Sequence, residues 1–207
     1  MKNFLGHLKT ILIHKWWVFR YCCLFGIPWR GLVHDLSKFS PTEFFESVKY
    51  YSGTRSPIDA SKEANGYSRA WLHHKGRNKH HYEYWQDNFD NGGMPLVMPY
   101  KESLEMLCDY LGAARAYMGK SFTYLKELDW WDTKKAKPLA MHPININFIT
   151  DMLTTLVFLE SKKIKKNRKY FQSTARAYYD VHEIGEHMGR SIESVLEEAR
   201  KNVKFPS

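Results

Sequence analysis

Five histidines and two aspartates stand in an order that could build one metal centre. They are His14, the dipeptide His34-Asp35, His74 and the pair His80-His81 within the run H-H-K-G-R-N-K-H-H, and Asp109. Imidazoles with a few carboxylates suit Mn, Fe, Co, Ni or Zn better than Ca, which takes all-oxygen shells. One or two such divalent ions are the expected cofactors. Two cations a few Å apart can clamp both oxygens of a phosphoryl group and generate hydroxide near neutral pH. A carboxylate has two oxygens and can serve both ions.

Each residue has competitors. His7 lies one heptad before His14 and is a rival first ligand. His14 itself sits on an apolar helical stripe, where a lone histidine is more often plain core. Adjacent helical residues point about 100° apart, so only one member of His73-His74 and one of His80-His81 can easily face a common site. Asp87 and Asp90 flank a turn and are weaker rivals to Asp109, whose neighbours are largely apolar. Asn78 reads as a cap for a helix starting near His80. Lys75, Arg77 and Lys79 interleave with the histidines and could grip a substrate phosphate. Trp71, Tyr82 and Trp85 could stack a base, although such stripes are more often core.

These residues need helices to hold them. Helical periodicity runs from about Phe4 to Leu24 and stops at Gly26-Ile27-Pro28. A second helical stretch from Trp29 carries His34-Asp35. Ser40-Pro41-Thr42-Glu43 is a helix start, with Ser as N-cap, Pro at the first position and Glu three after the cap. Residues 52–66 read as a loop, 67–74 as a helix, 75–79 as a turn and 80–89 as a further helix. Asp90 to Pro95 is a turn cluster. Tyr100–Met118 is a clear helix, 119–143 reads as irregular, and helices follow at about 146–163, 167–187 and 191–203. Strand-type alternation is scarce, so the chain is expected to be all-α.

Composition bounds the rest. The chain has 207 residues, enough for one hydrophobic core, with 43% hydrophobic and 15% aromatic residues. Its formal charge of +9 favours anionic partners such as phosphates or nucleic acid. Cys22, Cys23 and Cys108 form no disulfide framework and no C-x-x-C pair, which points to reduced thiols in a cytoplasmic protein. The apolar stretch 11–25 is interrupted by His14, Lys15 and Arg20 and is too short to span a membrane.

The order H…HD…D, with V-H-D-L-S-K at Val33–Lys38 and C-D-Y-L around Asp109, resembles the HD-domain superfamily of metal-dependent phosphohydrolases over residues 5–120. Residues 1–142 more closely resemble an uncharacterised family, DUF5662, through H-D-L-S-K-F-S-P-x-E-F and H-x-x-x-N-x-H-H-x-x-x-W. The resemblance implies an HD-like helical domain at 1–142, followed by a helical extension at 143–207. It implies that His14, His34, Asp35 and Asp109 hold one metal, that Asp35 bridges to a second held by His74 and His81 (or His80), and that Lys38 faces the phosphate. His80, Lys75 and Arg77 would then contact substrate. The implied activity is hydrolysis of a nucleotide or other small phosphorylated molecule by metal-activated water, with Asp35 and Lys38 catalytic. No G-Y-P motif follows the histidines, and Ser37 stands where H-D-x-G-K relatives carry Gly. Two other readings stay open: a di-iron oxygenase of the same superfamily, and a non-enzymatic nucleic-acid-binding protein using the basic run at 162–169. The extension could also serve a homodimer.

Overall fold

The computed structural model describes residues 2–164 and 167–188. The fold is all-α, as the periodicity predicts, with one two-stranded ribbon. α1 (Lys2–Phe25) buries His7, Ile11, His14, Val18, Tyr21 and Phe25, with Cys22 beside Tyr21, on one stripe, and the first six alternate steps of four and three residues as a buried helix face requires. Gly26, at φ 85°, ends it in a conformation glycine adopts freely, and Pro28 opens α2 (Pro28–Val33). α3 (Pro41–Tyr50) starts as expected: Pro41 is at its first position and the Glu43 N–H donates to Ser40 Oγ.

Three stretches differ from expectation. Residues 52–66 are not all loop, because α4 (Pro57–Asn65) forms there with Pro57 at its first turn and Gly66 at φ 77° after its end. α5 (Arg69–Lys75) follows, capped by Ser68, whose hydroxyl accepts the Trp71 N–H. The helix expected at 80–89 does not form. That segment is a 3-10 turn at Tyr82–Tyr84 and then β1 (Gln86–Asp87), paired antiparallel with β2 (Met94–Pro95). Asn88, Gly92 and Gly93 take positive φ and turn the chain back between the strands, so no helix can run on from His80. Beyond α6 (Tyr100–Met118), the supposedly irregular segment contains α7 (Tyr124–Lys135), whose Thr123 cap accepts the Lys126 N–H. α8 (Pro143–Ser161) and α9 (Arg168–Met188) complete the described chain; the helix expected at 191–203 lies outside the described residues.

One core joins these helices. Val18 and Cys22 of α1, Leu107, Cys108 and Leu111 of α6, Trp131 of α7, Phe148 and Leu153 of α8 and Phe171 and Tyr179 of α9 are all buried in it. The expected boundary at 142 therefore falls between α7 and α8, inside one packed cluster. Cys22 and Cys108 are buried free thiols and Cys23 is half-buried. The most extensive helix pairing is α1 with α6, and Gly112 permits it: a Cβ there would lie 2.4 Å from Val18 Cγ2. Gly31 does the same for α2, where a Cβ would meet Cys22 Cβ at 2.6 Å. Among the described residues no helix is long and apolar enough to cross a membrane.

Candidate metal centre

The close α1–α6 pairing brings His14 and Asp109 together, with His14 Nε2 3.2 Å from Asp109 Oδ1. His34 and Asp35 enter from the turn that follows α2, not from a helix as the sequence suggested. α2 ends at Val33, and Asp35 adopts a left-handed backbone at φ 53° before a 3-10 turn at Leu36–Phe39. Aspartate tolerates that region better than bulkier residues. The conformation turns the Asp35 carboxylate inward, where it is fully buried.

The two Asp35 oxygens face different partners. Oδ2 lies 3.2 Å from His34 Nε2 and 3.6 Å from His14 Nε2. Oδ1 lies 3.3 Å from both His74 Nε2 and His80 Nε2. Two candidate ligand groups share Asp35, His14–His34–Asp35–Asp109 and Asp35–His74–His80–His81, and His34 and His80 form a third with Glu105. His74 Nε2 and His81 Nε2 are 2.9 Å apart, a spacing that suits two imidazoles on one ion. Both His80 and His81 join the cluster, which corrects the expectation that only one could and that His80 would contact substrate. The 100° rule fails because these residues are not helical. Asn78 does not cap a helix either; its side chain donates to Ser37 Oγ and to the His74 carbonyl.

The residues fit a metal by their unmet bonding. His14, His34 and His80 Nε2 and Asp35 Oδ1 are buried without a hydrogen-bond partner. Orphaned polar atoms are rare in folded proteins and costly. The opposite ring nitrogens are held: His34 Nδ1 donates to Glu105 Oε1 at 2.9 Å, His80 Nδ1 lies 3.2 Å from the same oxygen, and His74 Nδ1 donates to Glu43 Oε2 at 2.7 Å. A carboxylate on Nδ1 fixes the tautomer and leaves the Nε2 lone pair aimed inward. Sequence reasoning missed Glu105 and read Glu43 only as a capping residue. Glu105 also takes Arg30 Nε at 2.6 Å.

The electrostatics favour ionised carboxylates. Burial opposes protonation of His34 and His80, but Asp35 and Glu105 raise both above the ordinary imidazole value, so a metal ion would take the place of protons there. Burial opposes ionisation of Asp35, but His34, Lys38 and His74 outweigh it and hold the carboxyl well below its usual range. Asp109 is held low in the same way by His14 and His34. Burial, then His80, keeps the His81 imidazole well below its ordinary value and so neutral. Lys38 Nζ is 2.6 Å from Asp35 Oδ2.

Other candidates lie elsewhere. His7 is buried against Phe44 and Tyr51, with ring centroids 5.4 and 5.6 Å away, and burial followed by Lys38 pushes it down to about 4. It is a core residue outside both ligand groups. Arg77 is exposed and donates to the His73 carbonyl, while Lys75 closes α5 beside the inward-facing His74. Neither reaches the centre. Asp87 and Asp90 are exposed on the ribbon. Trp71 packs on His74 and His81, with centroids 5.9 and 5.0 Å away. A cavity of about 330 Å³ opens beside His81 and Trp71 and reaches Glu127 and Lys134 of α7. In the basic run Lys162, Lys163 and Ile164 are exposed, and Lys165 and Lys166 lie outside the described residues.

No curated protein and no solved structure matches the chain. A family model described as a family of unknown function, DUF5662, matches residues 3–155, a span that takes in every ligand candidate and runs on into α8. With that match over most of its length, the chain belongs to the DUF5662 family.

Proposed function

We propose that this chain is a metal-dependent phosphohydrolase of the HD type, cleaving the phosphomonoester or phosphodiester of a nucleotide or other small phosphorylated molecule. The observation that carries the reading is the divided Asp35 carboxylate, one oxygen toward His14 and His34 and the other toward His74 and His80. Two divalent transition ions would supply Lewis-acid polarisation and lower the pKa of water. His14, His34 and Asp109 would hold one, His74, His80 and His81 the other, and Asp35 both. Glu105 and Glu43 keep the rings oriented. Lys38, beside Asp35 and partly open to solvent, is placed to turn its ammonium to a phosphate oxygen and offset charge developing on the phosphoryl group.

The test is metal content per chain in wild type and Asp35→Ala, followed by phosphate release from a broad ester panel. The reading expects about two ions in the wild type, loss of metal in the variant and turnover of at least one ester. Metal-replete protein that releases phosphate from none of them would sink it. A second reading, an oxygenase at the same centre, draws on the five imidazoles against two carboxylates, a nitrogen-rich shell that suits iron. Bound iron with O₂ consumption and no phosphate release would select it.

A further inference from the structure

The cavity beside His81 is lined by two glutamates whose bonding is incomplete. Glu127 of α7 is 2% exposed, lines the cavity and makes no side-chain hydrogen bond or ion pair among the described residues. Glu83 Oε2, on the same cavity, is buried without a hydrogen-bond partner. Asp59 of α4 also lines the cavity but is exposed to solvent. Buried carboxylates without partners are strongly disfavoured unless a ligand or ion completes them.

The walls have a matching chemistry. The rings of Tyr82, Tyr110 and Trp130 surround Lys134 Nζ at 5.2, 5.0 and 5.3 Å from their centroids, and that ammonium lies 3.3 Å from Tyr110 Oη. Aromatic faces attract cations, and here they already cradle one. Within the cavity one lysine faces the two glutamates, since Asp59 is exposed to water. Burial favours the protonated form of Glu127, and a bound cation would favour release of that proton. Lys62 sits over Trp71 at 4.6 Å but does not line the cavity. A second anionic group would meet the unmet oxygens of Glu83 and Glu127, whereas a cation would satisfy them.

We propose that this cavity is a subsite for an organic ammonium group, the non-reacting end of the substrate whose other end reaches the metal centre past His81. Only the placement of the reacting end rests on the phosphohydrolase reading. At about 330 Å³ the cavity is at the small end of ligand sites, so the group it takes is a compact amine.

The experiment titrates purified protein with benzylammonium, benzyl alcohol and benzoate, read by tryptophan fluorescence (Trp71 and Trp130 both line the cavity) and by calorimetry. Benzylammonium is expected to saturate and to bind about tenfold or more tighter than benzyl alcohol, with benzoate weakest. Glu127→Gln and Glu83→Gln each weaken benzylammonium by about tenfold, and Lys134→Met tightens it by removing the resident competitor. Metal content and unfolding midpoint confirm that each variant folds; if one does not, the other variants and the wild-type ranking still decide. Equal or tighter binding of the alcohol or of benzoate overturns the proposal, as does no binding by any probe, or a preference that both glutamine variants leave intact. The ranking needs no turnover. A protein that ranks the probes as expected and hydrolyses nothing loses the hydrolase reading alone, and one that hydrolyses esters while preferring benzoate loses the subsite alone.

Discussion

A histidine is made a metal ligand by whatever holds its other nitrogen. Glu105 anchors His34 and reaches His80 from a single carboxylate, so it touches both halves of the centre while lying outside the two groups that share Asp35. Glu105→Gln should lower metal affinity about 10–100-fold with little change in fold, measured by competition titration with a chromophoric chelator; unchanged affinity would show that the rings orient themselves. The candidate ligands were legible because their clustered spacing is unusual. Glu43 and Glu105 were not, since a glutamate on a helix looks the same in sequence whether it faces solvent or an imidazole. Glu127 makes a separate prediction about acidity. Burial, then Asp109, pushes its carboxyl from 4.5 up to about 8. The folded state therefore holds the proton more tightly than the unfolded one, and the stabilisation is complete below about pH 4.5 and lost as pH rises to about 8. Glu127→Gln does not titrate, so its stability relative to wild type should improve by about 3–5 kcal/mol across that window and level off above it. Urea unfolding of both proteins at pH 5, 7 and 8.5 measures this, and a constant gap would mean that Glu127 is already ionised at neutral pH.

Among the elements, α1 and α6 carry the greatest burden, because their closeness sets the distance between His14 and Asp109. Gly112 lies one turn beyond Asp109 and meets Val18 one turn beyond His14. Gly112→Ala should part the helices, cost about 1–3 kcal/mol from overpacking and weaken metal binding together with stability. Denaturant unfolding and metal titration on the same preparation would show the two losses moving together; a stable variant with weakened metal binding, or the reverse, would separate packing from site geometry. Long elements were readable because α1 and α6 repeat apolar positions over many turns. Short ones were obscured by composition. Ser, Gly and Asp around α4 suggested a loop although Ser56-Pro57 is itself a helix-start signal, and the prolines and paired tryptophans around α7 hid the Thr123 cap. The His80 segment misled in the opposite direction, since its spacing reads as helical while the glycines at 92 and 93 turn it into a ribbon.

For the molecule as a whole, the candidate ligands are drawn from α1, the turn after α2, α5, the segment before β1 and α6. A metal that binds only the folded arrangement adds about 4 kcal/mol at a thousandfold excess over its dissociation constant, which for a chain of this size raises the melting temperature by about 8–16 °C. Thermal melts of chelated and metal-replete protein test this, and identical melting curves would argue that the centre is not formed for an ion. The single core runs across the boundary read at 142/143: α8 continues the apolar interior that α1 and α6 begin. The long reach from His14 to Asp109 has a kinetic meaning as well. An ion held at both ends is a removable cross-link, closing a loop through most of the N-terminal half and depriving the unfolded chain of conformational freedom much as a disulfide would. The His74–His81 side, by contrast, is gathered from neighbours in sequence. A folding chain could engage an ion there first and lock it only when α6 docks, so that metal acquisition and the last step of compaction become one event.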